Sequence, residues 1–258
     1  MPGIESFSLS VMLWVVAAVL LAGLIQGALG FGFPFIATPM VAMVADMRTA
    51  IITVLLPTLA TVLVTLATSG PLGPVLKRFW MMPIYAFLGA LAGTALFVAA
   101  PGAPYQLLLA LTIIGYLNLD RLARGNWPLI RRHERAFGPI AGVAAGLFEG
   151  TANVAAPPLI IYYLALGVAP ALLVQALQIC FTVGKTTQFT VLTLYGGVDA
   201  SQWVATLPLV AVATAAGYVG ARVRNRIDAL VFRIWVKRSL LAIALVLLVQ
   251  SGYNAWNR

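Results

Sequence analysis

Charged side chains are rare in this sequence of 258 residues. Only 9% of the residues are Asp, Glu, Lys or Arg, and only 7 of them are acidic, whereas an average soluble domain is about 25% charged. So few charges could not hydrate the surface of a soluble globular protein, and that class is excluded. The single cysteine, Cys180, excludes a disulfide framework within the chain. The single histidine, His133, argues against a histidine-based metal site and against a serine–histidine relay.

Apolar residues are abundant instead, and they occur in long runs. They make up 62% of the chain, and the mean hydropathy is +0.99. A helix that spans a bilayer needs about 20 apolar residues, so the sequence predicts an all-α polytopic membrane protein with a single membrane domain over residues 1–258. The main apolar blocks are residues 11–45, 49–68, 80–100, 105–119, 138–167, 169–194, 201–219 and 240–252.

Two of these blocks are interrupted in the middle by glycine and proline. Block 11–45 contains Gly30, Gly32 and Pro34, and block 138–167 contains Gly150 and then two prolines. Both residue types disfavour a continuous helix, so each block is predicted to be two half-helices joined by a break. A break at the same place in both halves of a chain is typical of transporters that are built from internal repeats.

The two breaks also resemble each other in sequence. An offset of 119 residues aligns Gly27 with Gly146, and Pro39 with Pro158. We therefore expect one repeat over residues 8–120 and a second over residues 136–256, joined by a basic loop at residues 121–135.

The distribution of positive charge predicts how the repeats are oriented. Thirteen of the 16 Lys and Arg residues lie in segments 69–79, 120–137 and 221–238, whereas the connections 101–104 and 196–200 contain none. By the positive-inside rule the three basic segments are cytoplasmic. This rule also accounts for the net charge of +9, so no nucleic-acid partner is needed to explain it. Two full spans and one broken element lie between the last two basic segments. Because both segments are on the same side of the membrane, the broken element must enter and leave on one side, as a re-entrant hairpin, and we expect the same of the first broken element. Each repeat is then a hairpin plus three transmembrane helices, the two repeats are inverted, and both termini are external.

Two ionisable residues fall well inside the apolar blocks. Charges within a membrane segment are costly and mark functional sites by default. Glu149 lies in the second break, and Lys185 lies in the middle of the block 169–194. Lys185 shares one helical face with a stripe of polar residues: Gln175, Gln178, Thr182 and Gln188. Lys185, Gln175, Gln178 and Glu149 are therefore candidate substrate-binding residues for an anion, and Glu149 is also the candidate for proton coupling. The alternative is that Lys185 and Glu149 pair only to hold helices together.

The breaks themselves are a second candidate site for an anion. A half-helix that begins in mid-membrane points backbone N–H groups and the positive end of its dipole at a ligand. We expect these ends after Gly32 and Asn153, with Gly30 and Pro34 shaping the first break. The side chains of Gln26 and Asn153 can add donors. Close helix packing through small residues is the alternative explanation for the glycines.

Each break is a glycine-containing segment that ends in proline: Gly27-Ala-Leu-Gly-Phe-Gly-Phe-Pro-Phe-Ile-Ala-Thr-Pro39 in the first half and Gly146-Leu-Phe-Glu-Gly-Thr-Ala-Asn-Val-Ala-Ala-Pro-Pro158 in the second. With these two segments the chain resembles the TauE/SafE family of sulfite and organosulfonate exporters. The resemblance covers essentially the whole chain. It implies a secondary transporter that exports a small anion such as sulfite or a sulfonate. A carboxylate or another sulfur oxyanion, moved in either direction, stays open as cargo.

The expected function is therefore transport across a bacterial cytoplasmic (inner) membrane, by alternating access and without enzymatic activity. No cofactor or metal is expected. The predicted partners are the anionic substrate and the lipid bilayer, and a homo-oligomer is left open. A membrane scaffold or assembly factor without transport is the second hypothesis, although a scaffold needs neither the repeated breaks nor Lys185.

Overall fold

A computed structural model describes residues 7–118 apart from residue 102, and also residues 127–223, 241 and 244–249. Every regular element in these described parts of the chain is helical, which confirms the predicted fold class. The helices are α1 (Leu9–Leu29), α2 (Phe33–Ala42), α3 (Met47–Thr68), α4 (Gly73–Phe79), α5 (Met82–Ala99), α6 (Tyr105–Leu117), α7 (Pro128–Arg132), α8 (Glu134–Ala152), α9 (Ala156–Ala165), α10 (Pro170–Leu194), α11 (Ala200–Ala205) and α12 (Leu207–Val223).

Four helical stretches are long and apolar enough to cross a membrane: Leu9–Leu29, Met47–Thr68, Met82–Ala99 and Ala200–Arg222. Three shorter apolar helices accompany them. Helix α10 has 25 residues, yet its glutamines and Lys185 make it too polar to belong to the first group. The chain is therefore a multi-pass membrane protein. The predicted span 240–252 is described only in part: residues 241 and 244–249 are described, and all of them are helical.

Both broken elements are helical hairpins, with breaks where glycine and proline predict them. The first helix of each hairpin is longer than the predicted half-helix, with 21 residues in α1 and 19 in α8. In the first hairpin α1 packs against α2, and the indole N–H of Trp14 donates to the carbonyl of Met40 at 2.7 Å. In the second, α8 packs against α9, and the Tyr162 hydroxyl donates to the carbonyl of Glu134 at 3.4 Å. Each of these bonds joins the start of one helix to the end of the next, so the chain reverses direction at each break.

The basic segments are less irregular than the sequence suggests. Segment 69–79 contains α4, which buries Val75 and Phe79 and leaves Lys77 and Arg78 exposed. Segment 120–137 contains α7, and α8 begins already at Glu134 rather than at residue 138. The sequence predicts loops here, whereas the structure has short amphipathic helices. Charged residues on the exposed face of a helix are compatible with helix formation. Residues 119–126 and 224–240 of the basic segments lie outside the described residues.

The chain divides into two compact units, and each unit combines helices from both predicted repeats. The first consists of the described parts of Met1–Thr61, Pro104–Ile114 and Val198–Arg258. In it α1 packs against α12. The contact is backbone to backbone: a Cβ atom added at Gly27 would lie 1.9 Å from the Gly217 carbonyl oxygen, and one at Gly23 would lie 2.7 Å from the Ala213 oxygen.

The second unit consists of the described parts of Val62–Ala103 and Gly115–Gly197. Here α8 packs against α5, and α10 packs against α4, α5, α8 and α9. The contact between α5 and α8 is again made of small residues. A Cβ atom at Gly146 would lie 2.2 Å from the Ala86 oxygen, and one at Gly150 would lie 2.3 Å from the Thr94 nitrogen. In both units a hairpin's first helix meets another helix through glycine, which allows close approach.

Around the two breaks the helix boundaries recur at an offset of 123 residues. Phe33 and Ala156 begin α2 and α9, Met47 and Pro170 begin α3 and α10, and both pairs are separated by this distance. The offset of 119 inferred from residue identities is therefore wrong by four residues. Glycines recur every four residues along these helices, as at positions 142, 146 and 150, so a shift of about one helical turn still aligns glycine with glycine.

Candidate functional site

The second break is formed by Asn153, which ends α8 in a left-handed conformation. Its φ is +63°, and it is the one non-glycine residue with positive φ in the part of the chain that the structure describes. The backbone N–H of Asn153 donates to the Glu149 carbonyl at 3.0 Å, and that of Val154 donates to the Phe148 carbonyl at 3.3 Å. Asparagine tolerates this backbone conformation better than most residues, so Asn153 stops α8 while keeping a polar side chain at the break.

A fully buried cluster of polar side chains surrounds this break. The Lys185 ammonium nitrogen lies 2.5 Å from Oε1 of Glu149 and makes a buried ion pair with it. It also donates to Oδ1 of Asn153 and, at 3.2 Å, to Oε1 of Gln188. The exposed fraction of each of the four residues is 1% or less. The structure therefore brings together three residues of the predicted substrate site, Glu149, Asn153 and Lys185, and we call these three and Gln188 the Lys185 cluster.

Helices α8 and α10 are held in register around the cluster by two features. The amide nitrogen of Gln188 donates to the Glu149 carbonyl at 3.0 Å, which satisfies an acceptor in the last turn of α8. Gly184 leaves room for the acidic side chain, because a Cβ atom there would lie 3.0 Å from Cγ of Glu149. Helix α10 can thus approach the carboxylate closely, and Lys185 can reach past it to Asn153.

Gln188 is the cluster residue that the predicted site omits. It belongs to the polar stripe and lies three residues after Lys185, a spacing that places both side chains on one helical face. Gly184 is a second omission. A glycine next to a buried lysine in a long helix was the available signal that another side chain approaches there.

The predicted glutamines at the start of α10 lie away from the cluster. Gln175 is buried, and its amide nitrogen donates to the carbonyls of Ser69 at 2.6 Å and Pro71 at 3.4 Å. It precedes Lys185 by ten residues, about 15 Å along the helix. Gln178 is buried one turn further along. These residues line the same face as Lys185, but Gln175 holds the loop after α3 in place.

The first break lies in the other unit and contains the predicted residues Gln26, Gly30, Gly32 and Pro34. Gly30 and Gly32 have φ of +81° and +116°, so both use the left-handed region that glycine enters freely. The Gly30 N–H donates to the Gln26 carbonyl at 2.7 Å. Oε1 of Gln26 accepts from the N–H of Phe33 at 3.1 Å, and Pro34 follows in the first turn of α2. Gln26 thus caps α2.

The N-terminal ends of the second half-helices therefore offer fewer backbone donors than the sequence suggests. In α2 the Phe33 N–H is used by Gln26, and Pro34 has no N–H. In α9 two prolines, Pro157 and Pro158, occupy the first turn. At the second break the Lys185 ammonium group is a side-chain donor in addition to these few backbone donors.

Gln26 and Glu149 occupy corresponding positions in the two hairpins. They are separated by the same 123 residues as the helix boundaries, and the carbonyl of each accepts from the residue that ends its helix, Gly30 or Asn153. The first hairpin thus places a neutral amide where the second places a carboxylate. No group of three or more His, Cys, Asp or Glu residues that could hold a metal ion occurs among the described residues.

Comparison with known proteins agrees with the resemblance in the sequence. The model of the family described as "Sulfite exporter TauE/SafE" matches residues 15–247, which include both breaks and the Lys185 cluster. No curated protein matches the chain, and no solved structure matches it. Because the match extends over most of the sequence, the chain belongs to the TauE/SafE family of sulfite exporters, which are membrane transporters.

Proposed function

We propose that this protein is a secondary transporter that exports a small anion, sulfite or an organosulfonate, across the bacterial cytoplasmic membrane. The observation that carries the proposal is the burial of Lys185 at the break between α8 and α9, with Asn153 and Gln188 beside it. A cation in that position can bind one anion in surroundings where screening by salt is weak.

The chemistry of the cluster suits a compact oxyanion. The amide groups of Asn153 and Gln188 can rotate to present N–H donors instead of their oxygens. Together with the ammonium group they can surround the three oxygens of a sulfite or sulfonate group. Family membership points to the same substrate class.

Alternating access is the transport mechanism that we propose, on the basis of the two hairpins and of the recurring offset of 123 residues. Discontinuous helices in corresponding positions of two repeats form the substrate sites of many secondary transporters. The inverted orientation of the repeats, the cytoplasmic location of the basic segments and the external termini remain part of this proposal. The lipid bilayer and the anion also remain proposed partners.

A binding screen on the purified protein tests the proposal. Sulfite, sulfoacetate, taurine, sulfate and acetate are added separately, and the unfolding temperature is measured. A ligand that binds only the folded state raises this temperature. We expect sulfite or a sulfonate to raise it in the wild type.

Two variants make the screen specific for the Lys185 cluster. The double variant Lys185→Met/Glu149→Gln removes both buried charges together, and we expect it to lose the shift. The control is Thr186→Val, because Thr186 lies next to Lys185 on α10 but is exposed, and its hydroxyl donates to the carbonyl of Thr182 within the same helix. If acetate alone raises the unfolding temperature, the substrate is a carboxylate and not a sulfur anion. If no anion raises it, the result favours a scaffold without transport.

A further inference from the structure

Three oxygen atoms surround the Lys185 ammonium group. It donates hydrogen bonds to Asn153 and Gln188, and it forms an ion pair with Oε1 of Glu149. Glu149 also cancels its charge. An anion that binds Lys185 must therefore displace one of these three oxygens.

The carboxylate of Glu149 is the group that an anion has to displace. Asn153 and Gln188 are neutral and can turn their amide N–H groups towards the anion. Glu149 cannot, because a carboxylate only accepts hydrogen bonds. An anion beside Lys185 and an ionised Glu149 would place two negative charges on one buried cation. Like charges that share a site favour protonation of one of them.

We propose that Glu149 takes up a proton whenever an anion binds Lys185, so that one proton moves with each anion in the same direction. The proton comes from water on the loading side and forms an O–H bond on the Glu149 carboxylate. The Lys185–Glu149 pair is replaced by a Lys185–anion pair, and both changes reverse on release. This inference rests on the proposed function and adds the coupling of anion transport to proton movement.

Glu149 is the one acidic side chain that contacts the Lys185 ammonium group within the described ranges. Helix α8 is packed against α5, α7, α9 and α10. Lys185 is the one residue that forms an ion pair with Glu149 within the described ranges. The remaining titratable side chains on these helices and on α8 itself are Tyr85, Arg131, Arg132, Glu134, Arg135, Tyr162, Tyr163 and Cys180.

The first hairpin supplies an internal comparison for the proposed stoichiometry. Gln26 occupies the position of Glu149 there, and neither α1 nor α2 contains Asp, Glu, Lys, Arg or His. That hairpin has no side chain that can exchange a proton with water in the physiological range. One proton per anion follows. A monoanion then crosses without net charge, so its own concentration gradient drives its exit and an acid-outside pH gradient opposes that exit. A dianion such as sulfite crosses with one net negative charge, and an inside-negative potential favours its exit.

Flux measurements in proteoliposomes test this coupling. The probe is methanesulfonate, because it remains a monoanion at all relevant pH values and cannot itself carry the proton. With the membrane potential clamped at zero by valinomycin and potassium, we expect a gradient of one pH unit to drive about tenfold accumulation on the alkaline side. A potential imposed without a pH gradient should drive no accumulation.

The variant Glu149→Gln converts the second hairpin to the residue that the first one has. This variant leaves the Lys185 charge without compensation and is therefore less stable than the wild type. In its folded fraction we expect methanesulfonate flux to lose its dependence on the pH gradient and to follow the membrane potential. We expect Thr186→Val to behave as the wild type. In the purified wild type, methanesulfonate affinity should rise about tenfold per unit decrease in pH while Glu149 is ionised, by the same linkage.

The outcomes separate the coupling from the function on which it rests. Wild-type flux that follows the potential and ignores the pH gradient would overturn the proton coupling and leave anion transport standing. If neither methanesulfonate nor sulfite moves under any condition, the proposed function fails, and the coupling fails with it.

Discussion

Asn153 performs two tasks that substitution can separate. Its backbone ends α8 with φ of +63°, and its side chain accepts from Lys185. The variant Asn153→Gly keeps the backbone conformation and removes the amide, so we expect it to fold normally but to bind the anion more weakly. The variant Asn153→Ala removes the amide and adds backbone strain, and we expect it to be less stable than Asn153→Gly by roughly 1–2 kcal/mol.

Unfolding of both Asn153 variants in detergent, followed by tryptophan fluorescence, measures this difference. Equal stability of the glycine and alanine variants would contradict the role assigned to the left-handed backbone. Anion affinity equal to that of the wild type in both variants would remove the side chain from the site.

The ion pair between Glu149 and Lys185 has a second consequence for stability. Removing one partner of a buried pair leaves the other charge without compensation, which costs roughly 3–5 kcal/mol. We therefore expect Lys185→Met to unfold much more readily than the wild type. The double variant Lys185→Met/Glu149→Gln should recover most of that loss, because no buried charge remains. Chemical denaturation of the three proteins checks this, and a double variant as unstable as the single one would contradict it.

The sequence identified the charged residues of the site but could not establish their contact. Glu149 and Lys185 lie in different helices, 36 residues apart in the sequence, and their pairing depends on how α8 packs against α10. Intramembrane charge was sufficient to select both as candidates. The cap that Gln26 provides for α2 was not predictable, because it depends on the conformation of Gly30 and Gly32.

At the scale of helices, glycine sets how closely α1 approaches α12 and how closely α8 approaches α5. We expect Gly27→Ala and Gly146→Ala each to destabilise the protein by roughly 1–3 kcal/mol, because the added methyl group would collide with a backbone carbonyl. The control is Gly115→Ala, since no atom lies within 4 Å of a Cβ atom added there. Alanine also favours a helix, so this variant should be as stable as the wild type or more so.

Thermal unfolding of the three glycine variants decides this prediction. Equal unfolding temperatures for Gly27→Ala, Gly146→Ala and Gly115→Ala would mean that the close helix contacts do not exist.

The helices and their breaks were predictable because they depend on local sequence. Glycine and proline interrupt blocks 11–45 and 138–167, and the structure has breaks at both places. The offset between the halves was not predictable, because glycines spaced by four residues match in more than one register. Which helix packs on each hairpin was not predictable either, since α5 and α12 are distant in sequence from α8 and α1.

At the scale of the molecule, the charge distribution predicts the orientation in the membrane. Cys180 is buried, so the wild type supplies a background with little labelling by a membrane-impermeant maleimide. We expect His133→Cys, in a basic segment, to be labelled only after the membrane is permeabilised. Ser201→Cys, beside the connection 196–200 that has no Lys or Arg, should be labelled in intact spheroplasts. The opposite pattern would reverse the topology.

Uptake and efflux of radiolabelled sulfite in proteoliposomes test the transport function itself. We predict saturable sulfite flux by the wild type and by Thr186→Val, and flux at the level of protein-free liposomes for Lys185→Met/Glu149→Gln. If the double variant folds and carries sulfite as fast as the wild type, Lys185 is not the anion ligand and the proposed site is wrong.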